Sequence, residues 1–159
     1  MDFRIGFGYD VHRLQKGIPF VLGGVNIPYE KGPLGHSDAD VLIHAVCDAL
    51  LGAAALGDIG THFPDSDPAY QGISSLRLLS AVRSLLSENG YTTGNIDSTI
   101  VLQEPKISSY IPSMTGQIAR HLGIEPGAVS VKATTEEGLG FTGSREGISA
   151  YAVALIIKE

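Results

Sequence analysis

Cysteine, basic charge and long apolar runs are all scarce in this sequence, and each scarcity removes a class of protein. The one cysteine, Cys47, has no partner for an internal disulfide, so the 159 residues must be held by their core, and a reducing compartment, the cytoplasm by default, is expected. No apolar run approaches the ~20 residues of a membrane span, and the N-terminus lacks the charged and apolar regions of a signal peptide. A plastid-type location would require a transit peptide already removed. Lysine and arginine number 11 against 17 aspartates and glutamates, a net charge of −6, whereas a nucleic-acid binder needs a basic surface to displace counterions. Neither a nucleic acid nor a membrane is an expected partner.

What is present suits a compact body. An apolar fraction of 43% can bury a sizeable core and fits one domain over residues 1–159, while 20 glycines beside only 18% charged residues imply tight turns rather than disorder. Residues 3–12 read as a strand that turns through Gln15, Lys16 and Gly17 into a second strand over 19–27, forming a hairpin. The segment "YEKGPLGH" that follows reads as a mobile loop. A helix capped by Ser37 is predicted to run to about Leu56, and a second spans 74–89 with Leu76, Leu79, Val82, Leu85 and Leu86 on its inner face. A strand over 96–103, a helix from Pro112 to Gly123 and strands over 129–134 and 148–157 complete the chain.

That order predicts an α+β two-layer sandwich: a mixed sheet of four to five strands with helices on one face. The last strand, "ISAYAVALII", is apolar on both faces, so its second face is expected against another subunit.

Candidate chemistry starts at "GYDVH". Asp10 and His12 lie two apart on a strand, which points both side chains the same way, where a carboxylate and an imidazole can share a divalent cation or simply close a strand end. On the following helix Asp40, His44 and Asp48 recur every four residues as a polar seam, so His44 is a candidate third ligand with carboxylates as its outer partners. Two histidines and one carboxylate leave tetrahedral zinc an open fourth position, the pattern of a catalytic site, which a phosphate oxygen could fill. Gly-rich turns, Thr134, Thr135 and Lys106 or Lys132 suit phosphate oxygens, and Glu136 or Glu137 could hold a harder cation. The Asp-rich "FPDSDP" could accept sugar hydroxyls or be an ordinary turn; His62 and His121 read as exposed histidines and Cys47 as a small core residue.

With these motifs in place, "RIGFGYDVHRL", "LGGVNIPYEKGPLGHSDADVLIHA", "DALLGAAALGDIGTHFPDSDP", "VKATTEEGLGFTG" and "EGI", the chain resembles the 2-C-methyl-D-erythritol 2,4-cyclodiphosphate synthases of the non-mevalonate isoprenoid pathway, nearly end to end. The resemblance implies Zn2+ on Asp10, His12 and His44, and Mg2+ or Mn2+ on Glu137 bridging a substrate diphosphate. It implies substrate contacts from Val11 with its two neighbours, from His36 and Ser37, and from Thr134, Thr135, Glu136 and Glu137, with His36 and Thr135 matching the residues regarded as stabilising the transition state. Asp58, Ile59 and Gly60, with Phe63, Pro64, Asp65, Ser66 and Asp67, would line the methylerythritol end. Leu102, Gln103, Glu104, Pro105, Lys106, Ile107 and Ser108 would receive the cytidine. Phe141 and Arg145 join the substrate-binding set, although the family commonly reads Phe-Thr-Gly-Arg where this chain has Ser144 and places Arg145 one position later. Whether Arg145 replaces that arginine at a phosphate, and whether a central trimer cavity binds an isoprenoid diphosphate, stay open.

The family is a homotrimer with active sites between subunits, and its small-molecule substrate carries a cytidine diphosphate. The reaction so implied is metal-assisted and intramolecular, releasing CMP, and it needs no protein nucleophile; none of the usual Ser/His/Asp or Cys/His constellations is legible. Two rivals differ in product: a zinc phosphohydrolase would release inorganic phosphate, and a non-catalytic isoprenoid-diphosphate carrier would release nothing.

Overall fold

In the computed structural model, which describes residues 2–159, the backbone of the sheet is a long antiparallel pair. Strand β1 (Phe3–Lys16) runs against β7 (Gly147–Lys158) from Phe3 opposite Ile157 to Arg13 opposite Gly147. Strand β7 pairs antiparallel with β5 (Tyr91–Val101), and β5 pairs parallel with β6 (Val129–Thr134). A parallel pair needs a crossover, which helix α4 (Ile111–Leu122) supplies before the left-handed Gly123 ends it at φ 69°. Strand β4 (Lys31–Leu34) closes the other edge, giving a mixed five-stranded sheet in the order β4-β1-β7-β5-β6.

The hairpin expected between residues 3–12 and 19–27 does not form. Gly23 and Gly24 both adopt positive φ, so the second segment folds on itself as β2 (Phe20–Leu22) and β3 (Val25–Ile27), a separate two-stranded ribbon. The stretch read as a mobile loop instead supplies β4, whose residues Lys31–Leu34 pair with the end of β1. Helix α1 (Val41–Ala53) starts later than Ser37 because Ala39 is left-handed at φ 56°; Asp40 is the cap, its side chain accepting the Ile43 N–H. It also stops before Leu56, since Ala55 turns left-handed at φ 58°. Helix α3 (Ser75–Glu88) lies within one residue of its predicted bounds, and the short helices α2 (Ile59–His62) and α5 (Gly140–Gly143) were not expected.

Helix α1 is buried along almost its whole length and lies directly on β1. The close approach needs Gly6 and Gly8: a β-carbon on Gly6 would overlap the Ala49 carbonyl, and one on Gly8 the Ala45 carbonyl. On β7 the alternate residues Ile148, Ala150, Ala152, Ala154 and Ile156 point into the same core, small alanines again letting the helix sit low. Leu79, Val82 and Leu86 of α3 and Met114, Ile118 and Leu122 of α4 fill the rest. The opposite sheet face is uncovered: Phe3, Ile5, Phe7, Tyr9 and Val11 of β1 and Tyr151 and Val153 of β7 are exposed, although all are large and apolar or aromatic. Among the described residues no helix is long and apolar enough to cross a membrane.

Candidate functional site

The glycine track on β1 decides what α1 brings to the sheet. Gly6 meets Ala49 and Ala53, Gly8 meets Ala45 and Ala49, and one position further along the same face His44 arrives at Asp10. His12, two residues on, completes the group. Asp10 Oδ2 lies 2.9 Å from His12 Nε2 and 3.0 Å from His44 Nδ1, and the two ring nitrogens are 3.4 Å apart. Ligand atoms on a tetrahedral zinc at ~2.0–2.1 Å stand about 3.3 Å from one another. The three atoms lie close enough together to hold one metal ion between them, and one carboxylate with two imidazoles is a donor set that suits zinc.

Each ligand's other side is held. His12 Nδ1 donates to the Leu34 carbonyl at 3.0 Å, which turns Nε2 to the group; this hydrogen bond exists only because β4 pairs with β1. His44 Nε2 lies 2.9 Å from Ser75 Oγ and 3.1 Å from Ser37 Oγ. The outer partners expected for His44, Asp40 and Asp48, act elsewhere. Asp40 is fully buried and accepts the N–H groups of Gly23, Gly24 and Ile43, while Asp48 accepts from Ile59 N at 2.8 Å. The four-residue period aligns them along α1, but caps and turns use them first.

The electrostatics follow from this packing. Burial opposes charge on Asp10, but hydrogen bonds from His12 and His44 outweigh it and hold the carboxyl down at about 2. Burial likewise opposes charge on His44, yet its hydrogen bond to Asp10 and that carboxylate's charge raise its pKa above the ordinary value. Burial raises both Asp40 and Asp48, and pushes the Cys47 thiol well up, in keeping with a core residue.

A cavity of about 310 Å³ opens over the triad, and His36, Ser37, Ile59, Gly60, Phe63, Pro64 and Asp65 line it. His36 Nε2 is buried there with no hydrogen-bond partner. Three further residues of the set expected at this end do not line the cavity: Asp58 caps α2, Asp67 caps the turn at Ala69, and Ser66 is exposed. Val11 points to the opposite sheet face. Tyr70, Ile73 and Leu78 do line the cavity, and Ser75 touches His44, yet none was singled out; their spacing reads as turn and helix core, with no motif to mark them.

A second cavity is lined by Leu102, Gln103, Pro105, Lys106, Ile107, Ser108, Ala133, Thr134 and Thr135. Glu104 leaves that wall to pair with Arg145, and Lys132, weighed as a phosphate ligand, pairs with Asp97 at 2.7 Å. Glu136 accepts the Thr142 hydroxyl, and Glu137 is exposed in a left-handed turn beside Thr135, Leu139 and Gly140. Phe141 packs by Gly147 and lines a cavity with Val11. In one chain Thr134 on β6 stands three strand steps from β1, ~14 Å at ordinary spacing, so the second cavity does not adjoin the triad through the sheet.

Known proteins resemble this chain over nearly its whole length. A curated protein of Clostridium perfringens named 2-C-methyl-D-erythritol 2,4-cyclodiphosphate synthase is 60% identical over 155 residues, covering 98% of this chain and 99% of the relative. The solved structure described as the IspF (Plasmodium falciparum) CDP complex superposes with a TM-score of 0.86 at 35% identity, over 99% of this chain and 97% of that one. The bifunctional IspDF of Campylobacter jejuni gives a TM-score of 0.95 at 37% identity over 99% of this chain, which spans only 43% of that longer protein. With the YgbB family model also matching residues 3–157, this chain belongs to the YgbB family, and its curated relative bears the name 2-C-methyl-D-erythritol 2,4-cyclodiphosphate synthase.

Proposed function

We propose that the chain converts 4-diphosphocytidyl-2-C-methyl-D-erythritol 2-phosphate into 2-C-methyl-D-erythritol 2,4-cyclodiphosphate and CMP in isoprenoid precursor synthesis. The observation that carries this reading is the convergence of Asp10, His12 and His44 beneath a cavity that also holds His36, Ser37 and Asp65. Zinc bound by the triad would supply positive charge and Lewis acidity to phosphate oxygens. Glu137, an exposed carboxylate with no basic partner among the described ion pairs, suits Mg2+ or Mn2+ shared with a diphosphate, since magnesium is commonly held by one or two carboxylates plus phosphates.

The chain's own groups orient the substrate. Phe63, edge-on to Tyr70 with ring centroids 5.5 Å apart, forms an apolar wall with Ile59, Ile73 and Leu78 for the methyl-bearing carbon chain, and Asp65 can accept its hydroxyls. The unpartnered His36 Nε2 and the Ser37 hydroxyl are available to phosphoryl oxygens, as is the Thr135 hydroxyl on the other wall. Lys106 and the backbone of residues 102–108 suit the cytidine phosphate and base, and one solved relative is described as a CDP complex. The nucleophile is the substrate's own 2-phosphate: its oxygen bonds to the β-phosphorus, the bond to the CMP oxygen breaks, and CMP leaves. Folding the substrate on itself is an orientation problem, which rigid walls and fixed charges address.

We also propose a cytoplasmic homotrimer. The three strand steps, ~14 Å, between β1 and β6 in one chain favour a site completed by a neighbouring copy, and the uncovered apolar face of β1 and β7 offers the surface for assembly. Incubation with the diphosphocytidyl substrate under zinc and magnesium tests the reading. Equimolar CMP and cyclic product are expected; inorganic phosphate would point to a phosphohydrolase instead, and no turnover to a carrier.

A further inference from the structure

We infer that Ser75, backed by Asp38, is the positioning residue that makes His44 a metal ligand; this deepens the zinc reading above and rests on it. Ser75 is fully buried at the start of α3, and its Oγ lies 2.9 Å from His44 Nε2. The serine's own proton is committed, because Oγ–H donates to Asp38 Oδ1 while Asp38 Oδ2 accepts the Ser75 N–H at 2.9 Å. Only lone pairs of Ser75 Oγ therefore face the imidazole. In the neutral ring the hydrogen therefore sits on Nε2, which leaves Nδ1, the nitrogen facing Asp10 Oδ2 and His12 Nε2, as the one that can bind a metal.

Ser37 Oγ stands 3.1 Å from the same nitrogen, but among the described residues no carboxylate orients it; it is half-buried on the cavity wall and also accepts the Ala39 N–H at 3.2 Å. The two serines divide the work: Ser75 holds the ring in one tautomer, and Ser37 can turn to a phosphoryl group without releasing it. His12 is held in the same way by the Leu34 carbonyl, so each imidazole has one fixed acceptor behind it. The clip extends along the backbone, where Asp38 N donates to Ile73 O at 3.2 Å and Gly72 N to His36 O at 2.9 Å. The loop carrying His36 and Ser37 is thereby tied to the start of α3.

The test measures zinc affinity of metal-free protein by competition with a chromophoric chelator, and proton exchange at His44 Nε2 in the zinc-loaded form by NMR. Ser75→Ala is expected to weaken zinc about ten- to a hundredfold and to speed that exchange, whereas Ser37→Ala holds affinity within about threefold. Ser75→Cys, close in volume and a poor acceptor, carries the same expectation if the alanine variant does not fold. Serine variants that melt like the parent yet bind zinc as tightly would overturn the inference, as would a loss confined to Ser37→Ala. A parent chain that takes up no zinc would overturn the metal reading and this inference together; variants indistinguishable from a zinc-binding parent overturn only the latter.

Discussion

The guanidinium of Arg145 lies 2.9 Å from the carboxylate of Glu104, two residues 41 positions apart that share one surface ion pair. Arg145 sits in a left-handed turn at φ 66° and reaches the 102–108 loop through Glu104. The neighbouring Gln103 Oε1 accepts the Gly138 N–H at 3.2 Å, so consecutive residues of that loop are tied to the segment bearing Glu137. Both charged partners are about half exposed, which limits the pair to about 0–1 kcal/mol. Arg145→Gln is therefore expected to raise KM for the cytidine substrate by about two- to fivefold with kcat and Tm unchanged. Steady-state kinetics check this, and exchanging the two charges should recover most of the loss.

His44→Ala is expected to abolish tight zinc binding and CMP release together. The strand pair Asp10 and His12 would remain, but two ligands hold zinc poorly. Metal analysis and a CMP assay on the same preparation decide it; full activity in the zinc-free variant would refute the role.

Zinc affinity should rise with pH in a defined way. The pKa of His44 is raised above 6.5, so in the metal-free chain the protonated ring is favoured in the fold: its stabilising share is complete below 6.5 and is lost as pH climbs through the folded value. Zinc must displace that proton. Affinity is expected to increase by about tenfold per pH unit below the raised value and to flatten above it. Asp10, held at about 2, stays ionised throughout and adds no slope. A chelator titration across neutral pH measures the curve.

Gly8→Ala is expected to destabilise the protein by about 3 kcal/mol, near the upper end for overpacking, because the obstacle is the Ala45 backbone and not a side chain that can swing away. Chemical denaturation measures it. Loss of zinc affinity should accompany the loss of stability, since lifting α1 carries His44 away from Asp10.

Phe7→Glu or Val153→Lys should disrupt assembly while leaving each chain folded. Both side chains lie on the uncovered face, where a charge costs a monomer little but would be buried in a subunit interface. Light scattering is expected to give about three times 16.7 kDa for the parent chain and a lower mass for the variants.

Much of this protein was legible before folding was considered. The period-two pairing of Asp10 and His12, the helical face of α3 and the glycine stop at Gly123 are local patterns, and local sterics and hydrogen bonding enforce them. The zinc candidates themselves were legible because ligand chemistry narrows the choice to few side chains.

The sequence by itself determined the residue types of the triad, the helices and the apolar strands, since each depends on neighbours a few positions away. Only the tertiary structure decided that β1 pairs with β7 and β4 rather than with the next segment, that Leu34 stands behind His12, and that Ser75 stands behind His44 in place of Asp40 and Asp48. It also turned Arg145 to Glu104. These contacts join residues 22, 31 and 41 positions apart, and they follow from sheet register and the seating of α1 on Gly6 and Gly8, which no local pattern encodes.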